Sequence, residues 1–312
     1  METFLKKTVP YGLMHLQTEL KHPGAVSARA IIFNKDGDYC LTCGSDKSLR
    51  LWNPYKGTLL KTYNGHGYEV LGCDASADNS KVTSCSADRT VVLWDVGTGQ
   101  VLRKYRGHLS RVNSVRFNSQ DGSIIVSGSY DSTVRCWDTR SRSLEAVQIL
   151  DDAKDSIPTL QVSEHEILTG SVDGYVRLYD LRQGKLTEDC MADPVTSVSF
   201  TNDGQCILAS TLDSKIRLID KQNGAVLNTY TGHINKDYKI DSTLLLNDTH
   251  IISGSENSSI VIWDLIHAKI AFEFKNAHSS AVYSISRHPS KNYILAASTD
   301  SSRLWVTKSF TD

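Results

Sequence analysis

Apolar and polar residues alternate with period two in short runs that recur along the whole chain. The runs "SLRLW", "TVVLW" and "SIVIW" are typical of half-buried β-strands. A second run precedes each of them, as in "KVTSCSAD" and "IIVSGSYD", and the small residues and Asp between the two runs predict a hairpin turn. Two further runs upstream, such as "VNSVRF" and "QVLRKY", complete a unit of four strands. The pattern therefore predicts an all-β protein with almost no helix.

The tryptophans show how often this four-strand unit repeats. All five end the same kind of run, and two degenerate copies, "VRLYD" and "IRLID", fill the long gap between the third and the fourth. The seven equivalent positions, separated by 42, 43, 42, 40, 44 and 42 residues, are Trp52, Trp94, Trp137, Tyr179, Ile219, Trp263 and Trp305. Seven copies in register predict one repeat domain, rather than the two domains that length alone would indicate.

Four antiparallel strands in every repeat are typical of a propeller blade. A Gly-His pair, a turn Asp and a Trp-Asp terminus also recur in that order, so the chain resembles the WD-repeat family from about residue 12 to 306. The resemblance implies a seven-bladed β-propeller. Its last copy stops after the third strand, at Trp305, and "GLMHLQTELKH" at 12–22 parallels "GTLLKTYNGH" at 57–66. We therefore expect the N-terminal strand to close the last blade, leaving a tail at 1–11 and a single monomeric propeller over 12–312.

Four residues recur at matching positions of the second and third blades: His66, Ser84, Asp88 and Trp94, then His108, Ser127, Asp131 and Trp137. A Ser/His/Asp set could indicate nucleophilic catalysis, but a catalytic constellation has no reason to recur at fixed offsets. The WD-repeat resemblance implies instead a buried hydrogen-bond relay that ties turn to strand. The sixth blade has Asn257 in place of the turn Asp. The fourth and fifth lack Gly-His and Trp, so we expect those two to rely on apolar packing.

Two other residue patterns could indicate chemistry. Arginines occupy the position two residues before the Trp site in five copies, and we expect them to pair with acids of neighbouring blades: Arg50, Arg135, Arg177, Arg217 and Arg303. Cys40 and Cys43 form a CxxC, but residues three apart in a strand face opposite sides, which disfavours chelation. The chain has no phosphate-binding or HExxH motif. We expect no catalytic residue, no bound metal and no cofactor.

Charge and cysteine content limit the partners and the compartment. The net charge is −1 and the pI is about 6.8, with no Lys/Arg-rich stripe, which argues against strong direct nucleic-acid binding. Seven cysteines spread along the chain indicate free thiols in a reducing compartment. No signal peptide and no apolar run of about eighteen residues are present. We expect a cytoplasmic and nuclear protein that does not insert into a membrane.

In WD-repeat proteins the favoured partner surface is the narrower face of the disc. It is lined by residues that flank the start of each innermost strand and by the residue just before the turn Asp. Arg and Tyr dominate binding hot spots because they combine contact area with directed hydrogen bonds. The partner contacts that we predict on this narrow face are Arg29, Glu69, Arg111, Tyr130, Lys239 and Tyr283.

Two strings, "TVRCWDTR" and "YVRLYDLR", favour a different use of the fold. They place Arg140 and Arg182 after consecutive Trp-Asp-like termini. Such "WDxR"-like boxes resemble the signature of substrate receptors that dock on the adaptor of cullin–RING ubiquitin ligases. Arg suits such docking because its planar fork grips oxygens in pairs. Arg after Trp-Asp is also common in the repeat itself, so both readings stay open.

Longer stretches resemble one group within the family. Four segments are similar to the mitogen-activated protein kinase organiser group of single-propeller WD-repeat proteins: 37–71, 91–108, 165–186 and 203–227. The resemblance implies a scaffold for kinases of the extracellular-signal-regulated cascade, with links to spliceosome components and to a prolyl hydroxylase. Three hypotheses follow: a non-catalytic scaffold in signalling or splicing, a ubiquitin-ligase receptor, and a propeller hydrolase. The hydrolase would need converging acids or metal ligands, and the mapped positions supply none.

Overall fold

The computed structural model describes residues 14–23, 27–118, 122–245 and 248–307, and within them 28 β-strands and no α-helix. The first strand, β1 (Met14–Leu20), belongs to the last blade. The other strands follow in chain order as seven antiparallel sheets, which we number as blades. The all-β, seven-bladed architecture predicted from the repeat is confirmed.

The strand bounds of the first three blades are as follows. Blade 1 contains β2 (Ala28–Phe33), β3 (Cys40–Gly44), β4 (Ser48–Asn53) and β5 (Thr58–Asn64). Blade 2 contains β6 (Val70–Ala75), β7 (Lys81–Ser86), β8 (Thr90–Asp95) and β9 (Val101–Arg106). Blade 3 contains β10 (Val112–Asn118), β11 (Ile124–Ser129), β12 (Val134–Asp138) and β13 (Gln148–Leu150).

The remaining four blades repeat the same order. Blade 4 contains β14 (Thr159–Val162), β15 (Glu166–Gly170), β16 (Tyr175–Asp180) and β17 (Lys185–Cys190). Blade 5 contains β18 (Val195–Phe200), β19 (Cys206–Thr211), β20 (Lys215–Asp220) and β21 (Val226–Tyr230). Blade 6 contains β22 (Ser242–Leu244), β23 (His250–Gly254), β24 (Ile260–Asp264) and β25 (Ile270–Phe274). Blade 7 contains β26 (Val282–Arg287), β27 (Tyr293–Ser298), β28 (Ser302–Thr307) and β1.

The turn Asp fixes the hairpin between the second and third strands of a blade. In blade 2 the Asp88 carboxylate accepts the Thr90 backbone N–H at 3.0 Å, and Arg89 between them has φ 67°. Asn257 does the same in blade 6, accepting the Ser259 N–H at 3.1 Å around Ser258, with φ 67°. Asp and Asn are the side chains that bond their own backbone two residues on, so either residue can make this turn.

The first strands of the blades line a central channel and contact one another in a closed ring, from β2 through β6, β10, β14, β18, β22 and β26 back to β2. Their channel-side N–H groups have no neighbouring strand to bond. Side chains of the adjacent blade accept them instead: the Phe33 N–H bonds Ser286 Oγ at 3.0 Å, and the Phe117 N–H bonds Asp74 Oδ2 at 2.9 Å. At the inner edge, side chains of the adjacent blade therefore provide hydrogen-bond acceptors for backbone N–H groups, although the sheets of neighbouring blades are not continuous.

The ring is closed by both ends of the described chain. β1 pairs antiparallel with β28, from Met14 opposite Thr307 to Leu20 opposite Ser302. Leu20 is buried in a cluster with Ile31 and Trp52 of blade 1, so the closing strand also joins two blades. The predicted N-terminal closure is confirmed. The boundary between a tail at 1–11 and the propeller lies outside the described residues and stays a prediction.

Candidate functional site

The turns divide the disc into two faces. The connections between blades meet the turns between second and third strands, as where the Ala87 N–H bonds Glu69 O at 3.0 Å, and these loops form the narrow face of the sequence prediction. The turns between first and second strands meet those between third and fourth strands on the opposite face, as where the Val96 N–H bonds Ser80 O at 3.0 Å.

An open cavity of about 500 Å³ lies at the centre of the narrow face, where the channel opens. Among its lining residues are all six predicted contacts, which come from blades 1, 2, 3, 6 and 7: Arg29, Glu69, Arg111, Tyr130, Lys239 and Tyr283. Blades 4 and 5 complete the rim with apolar groups, among them Pro158, Val172 and Leu212. The six residues, which are far apart in sequence, thus share one surface.

Six side chains of this cavity interact in pairs. Arg29 Nε lies 3.1 Å from Glu69 Oε2, an ion pair across the first two blades. The Arg111 guanidinium lies 4.8 Å from the centre of the Tyr130 ring, close enough for a cation–π contact. Across the cavity, the rings of Tyr238 and Tyr283 meet edge to face at 5.3 Å. Stacked Arg and Tyr side chains are already ordered, so a partner would lose little entropy in fixing them.

The sequence did not predict three of the lining residues. Asp155, Val195 and Tyr238 all line the cavity, but each lies one residue away from the positions that the repeat alignment selects. The longer connection that precedes blade 6 brings Tyr238 inward, because Glu256 Oε1 accepts the backbone N–H groups of Lys236, Asp237 and Tyr238 at 2.6–3.2 Å. For Asp155 and Tyr238, the one available signal was the length of their connections compared with the others.

Lys239 lies where the cavity meets the channel. It lines the mouth and also the narrower channel below, which has a volume of about 190 Å³. Farther down, Arg116 lines the same channel and donates to the backbone carbonyl of Val115 at 2.9 Å. Within the described residues no acidic side chain pairs with Lys239. The mouth of the channel therefore carries a positive charge that is available to a ligand.

Arg140 and Arg182 lie on the opposite face. Each follows the third strand of its blade, and its backbone N–H donates to the Asp carboxylate two residues earlier. Arg140 donates to Asp138 Oδ1 at 2.8 Å, and Arg182 donates to Asp180 Oδ1 at 2.9 Å. The Arg140 side chain is 70% exposed. The two turns have the same geometry on adjacent blades, so both guanidinium groups are accessible, but neither is part of the narrow-face cavity.

The repeated Ser, His, Asp and Trp side chains form a connected hydrogen-bond chain in blades 2 and 3. In blade 3, Trp137 Nε1 donates to Ser127 Oγ at 2.9 Å, Ser127 Oγ lies 2.8 Å from His108 Nε2, and His108 Nδ1 lies 3.0 Å from Asp131 Oδ2. Blade 2 repeats the chain with Trp94, Ser84, His66 and Asp88 at 2.8–3.1 Å.

Charge and burial show what this chain can do chemically. Burial lowers the pKa of His108, which keeps the imidazole neutral. Although burial opposes it, hydrogen bonds from His108 and Thr133 hold the pKa of Asp131 below its usual value. The Ser127 hydroxyl is fully buried and already bonded to Trp137, and Ser127 lines neither the narrow-face cavity nor the channel below it. The arrangement locks a turn to a strand.

Other blades use different partners. In blade 6 neither ring nitrogen of buried His233 has a hydrogen-bond partner among the residues that the structure describes. Trp263 Nε1 donates to Thr231 O at 2.8 Å, and Ser253 bonds Gly254 O. In blade 7, His278 Nδ1 bonds Ser301 Oγ at 3.0 Å. Asn257 thus preserves the turn but not the bond to His.

Blades 4 and 5 correct two sequence expectations. They do not rely on apolar packing alone, because Arg177 Nη1 lies 2.9 Å from Asp173 Oδ2 and Arg217 Nη2 lies 2.6 Å from Asp213 Oδ2. These pairs lie within one blade, as do those of Arg50 and Arg303. Arg135 pairs with no acid of the described residues and donates to Thr133 Oγ1 at 3.4 Å, so the expectation of pairing with neighbouring blades was wrong. In blades 4 and 5 the Arg lies four residues after the turn Asp and replaces the missing His.

Buried histidines predict how stability depends on pH. Burial lowers the pKa of His233 from 6.5 to about 4, although the negative charges of Asp213 and Glu256 act in the opposite direction and raise that pKa. The folded state therefore binds fewer protons than the unfolded state, and this contribution to stability is complete above pH 6.5 and lost as the pH falls towards 4. Between pH 7 and 5 we expect His233 to account for a loss on the order of 1–2 kcal/mol. Urea unfolding of His233→Gln across this range should show a shallower loss than wild type, and an equal slope in both proteins would contradict the assignment.

Further features bear on metals and membranes. In the described part of the chain, no three His, Cys, Asp or Glu side chains are grouped so that they could share a metal ion. Cys40 and Cys43 are both buried as free thiols in β3. No helix in residues 14–23, 27–118, 122–245 or 248–307 is long and apolar enough to cross a membrane.

Comparisons with known proteins cover the whole propeller. The model of the nucleolar protein 10-like N-terminal domain matches residues 68–253, and that of the WD domain, G-beta repeat, matches 14–53 and 270–305. WD repeat domain-containing protein 83 of Rattus norvegicus is 52% identical over 287 residues, 92% of this chain and 90% of the relative. The Xenopus tropicalis protein of that name is 53% identical over 306 residues, 98% and 96% of the two chains. The Dictyostelium discoideum homologue is 36% identical and covers 91% and 95%.

Proposed function

The chain belongs to the WD repeat domain-containing protein 83 family of WD-repeat propellers, and from this premise we propose that it is a non-catalytic scaffold that assembles multiprotein complexes. WD-repeat propellers generally bind proteins and leave catalysis to their partners. The observation that carries the proposal is the convergence of Arg29, Glu69, Arg111, Tyr130, Lys239 and Tyr283 on one open cavity.

The chemistry of the cavity supports protein ligands. Its rim combines aromatic rings, an exposed Arg stacked on Tyr130 and apolar groups from blades 4 and 5, a composition typical of interface hot spots. The Ser, His and Asp residues that could indicate a hydrolase are engaged in the relay instead. The surface is therefore suited to contact rather than to reaction.

The finer proposal concerns the complexes themselves. The family resemblance of segment 37–71 and of the other segments named above supports a role in mitogen-activated protein kinase signalling, in the spliceosome, or in both. Kinases of the extracellular-signal-regulated cascade, spliceosome components and a prolyl hydroxylase are the partners proposed on that resemblance. It also favours action in both cytoplasm and nucleus. The net charge of −1 favours contact through proteins rather than through RNA.

Arg111→Glu is the variant that tests the narrow face. Reversing this charge removes the cation–π contact with Tyr130 and places an acid at the cavity rim. We expect recovery of co-purifying partners to fall by about tenfold or more, the loss typical of a hot-spot Arg. The measurement is quantitative mass spectrometry of the tagged protein purified from its own cells, and Lys56→Glu, on a turn of the opposite face, is the matched control.

The same experiment tests the ubiquitin-ligase alternative. Exposed Arg140 and Arg182, in equivalent turns of adjacent blades, are the observation that favours it. If a cullin adaptor is enriched and is lost only from Arg140→Ala/Arg182→Ala, the protein is a substrate receptor. If kinases or splicing factors dominate and only Arg111→Glu loses them, the scaffold proposal stands and the two arginines have no docking role.

A further inference from the structure

The narrow face extends outward from the cavity across blades 1 to 3 and carries exposed cations there. We call this surface the basic–apolar arc and define it by Lys47, Tyr68, Arg89, Arg106 and Leu109, all of which are exposed. Tyr68 is 65% exposed and Leu109 is 75% exposed, the highest values for large hydrophobic residues on this face. None of the five lines the central cavity.

The five residues lie on adjoining loops. Lys47, in the hairpin turn of blade 1, has its Nζ 5.7 Å from the centre of the Tyr68 ring in the next connection. Arg89 precedes Thr90, which pairs with Arg106 across β8 and β9. Leu109 follows in the connection to blade 3, where its N–H bonds Asp131 Oδ2 at 2.7 Å. The five residues therefore lie on neighbouring loops of one face, and hydrogen bonds to the blades hold the backbone of these loops.

The acids of the same loops are engaged by other residues of the protein, including Asp46 beside Lys47, which pairs with Arg50. Asp88 pairs with His66 at 3.1 Å, Asp131 with His108 at 3.0 Å, and Glu69 with Arg29 at 3.1 Å. Although burial opposes it, hydrogen bonds from His66 and Thr90 hold the pKa of Asp88 below its usual value, so the carboxylate stays ionised in that position.

The cations of the arc have no such partners. Within the described residues Lys47, Arg89 and Arg106 pair with no acid. The arc therefore presents positive charge that the protein itself does not neutralise.

We infer that the basic–apolar arc binds an acidic linear segment of a partner protein, with an apolar side chain of that segment seated on Tyr68 and Leu109. The inference rests on the proposed scaffold function and specifies the chemistry of one partner. Its basis is charge complementarity: three unpaired cations surround two exposed apolar groups, a pattern that matches alternating acidic and apolar residues.

A nucleic acid fits the arc less well. Tyr68 is the one ring of the arc on which a base could stack, and Leu109 offers only an aliphatic contact, so successive bases of a strand would find a single stacking platform. Beyond blade 3 the same face carries exposed Asp151, Asp152 and Asp155, which would repel a long phosphate backbone. A peptide needs acids only over the arc, so its chain can continue past these residues.

The test uses the full-length protein and fluorescein-labelled peptides. One peptide alternates Glu with Leu, a second has Gln for every Glu, and a third probe is single-stranded oligouridine of equal length. Fluorescence anisotropy is measured with wild type, Lys47→Glu/Arg89→Glu, Tyr68→Ala/Leu109→Ala and the opposite-face control Lys56→Glu/Lys185→Glu. We expect the Glu peptide to bind wild type in a salt-sensitive way and both arc variants to bind it at least about tenfold more weakly. The control should bind as wild type does.

The inference is overturned if the Glu peptide does not bind wild type, if the arc variants bind it as wild type does, or if the Gln peptide binds equally well. An equal loss in the opposite-face control, or oligouridine binding at least as tight as the Glu peptide, would also overturn it. Failure here is distinguishable from failure of the scaffold proposal. If the arc variants bind the Glu peptide like wild type while Arg111→Glu still loses its co-purifying partners, only the arc is wrong. If neither surface affects any partner, the narrow-face scaffold is wrong as well.

Discussion

Removing residues 1–20 is expected to prevent the chain from accumulating as a folded, soluble protein. The deletion takes away β1, which supplies the fourth strand of blade 7 and pairs with β28 from Met14 to Leu20. It also empties the buried sites of Met14, among residues of blades 6 and 7, and of Leu20, between blades 7 and 1. Each such loss costs about 2–5 kcal/mol, and a folded domain has only about 5–15 kcal/mol of stability in total.

The shorter deletion of residues 1–11 is the matched control. It removes only the predicted tail and keeps the whole of β1, so we expect the thermal midpoint of wild type. The readouts are soluble yield and thermal unfolding followed by far-ultraviolet circular dichroism. The deletion of 1–20 also exposes the edge of β28, so its insoluble fraction should contain aggregates. A stable, monomeric protein without residues 1–20 would show that β1 does not close the ring.

Ser127→Ala is expected to lower the free energy of unfolding by about 2–4 kcal/mol. The Ser127 hydroxyl joins Trp137 Nε1 to His108 Nε2, at 2.9 and 2.8 Å, and all three side chains are buried. Alanine leaves both ring nitrogens without a partner and without access to water. Leaving a buried polar group unpaired costs more than a hydrogen bond contributes on average.

The equivalent serine of blade 6 provides the comparison. Ser253 is as buried as Ser127, but its hydroxyl bonds Gly254 O and reaches neither His233 nor Trp263. We expect Ser253→Ala to cost less than about 1.5 kcal/mol, because only one bond is lost and no ring is newly orphaned. Urea denaturation of both variants measures the difference. Equal losses would mean that the relay of blade 3 adds nothing to stability beyond packing.

The number of blades and the closure of the ring could be predicted from the sequence because both depend on local patterns. The seven Trp-type positions set the period, and the likeness of 12–22 to 57–66 identified the missing strand. The alternation of a strand and the residue types of a turn depend on only a few neighbouring residues, so both can be recognised in the sequence alone. The strand order of each sheet followed directly from these signals.

Local patterns did not show the partner of every turn Asp: the family resemblance implied His108 for Asp131, but nothing in the sequence indicated the partners of Asp173 and Asp213. Asp131 bonds His108, which lies 23 residues earlier, whereas Asp173 and Asp213 bond an Arg of their own blade. The choice depends on whether the connection before the blade supplies a His, and on which side chain packs over the carboxylate. Both depend on the tertiary structure. The expectation that these arginines pair between blades failed for the same reason.

The cavity shows a similar division between what local patterns predict and what they do not. Equivalent positions in the repeat identified six lining residues, because each blade presents the start of its first strand and the residue before its turn Asp to the channel mouth. Tyr238 and Asp155 were not predicted because the connections that contain them are longer than those before the other blades. The Glu256 carboxylate sets the path of the connection that contains Tyr238. Loop paths that depend on such a contact cannot be predicted from spacing.

Hydroxyl-radical footprinting of the partner-loaded protein tests the central claim, that partners bind the narrow face, most directly. Tyr130 and Tyr238, 52% and 48% exposed at the cavity, and Tyr39, 42% exposed on the opposite face, are oxidised to similar extents in the free protein if exposure governs the rate. With co-purified partners bound, we predict that Tyr130 and Tyr238 become protected and that Tyr39 does not. Protection of Tyr39, with Tyr130 and Tyr238 oxidised as in the free protein, would place the partners on the opposite face and contradict the account.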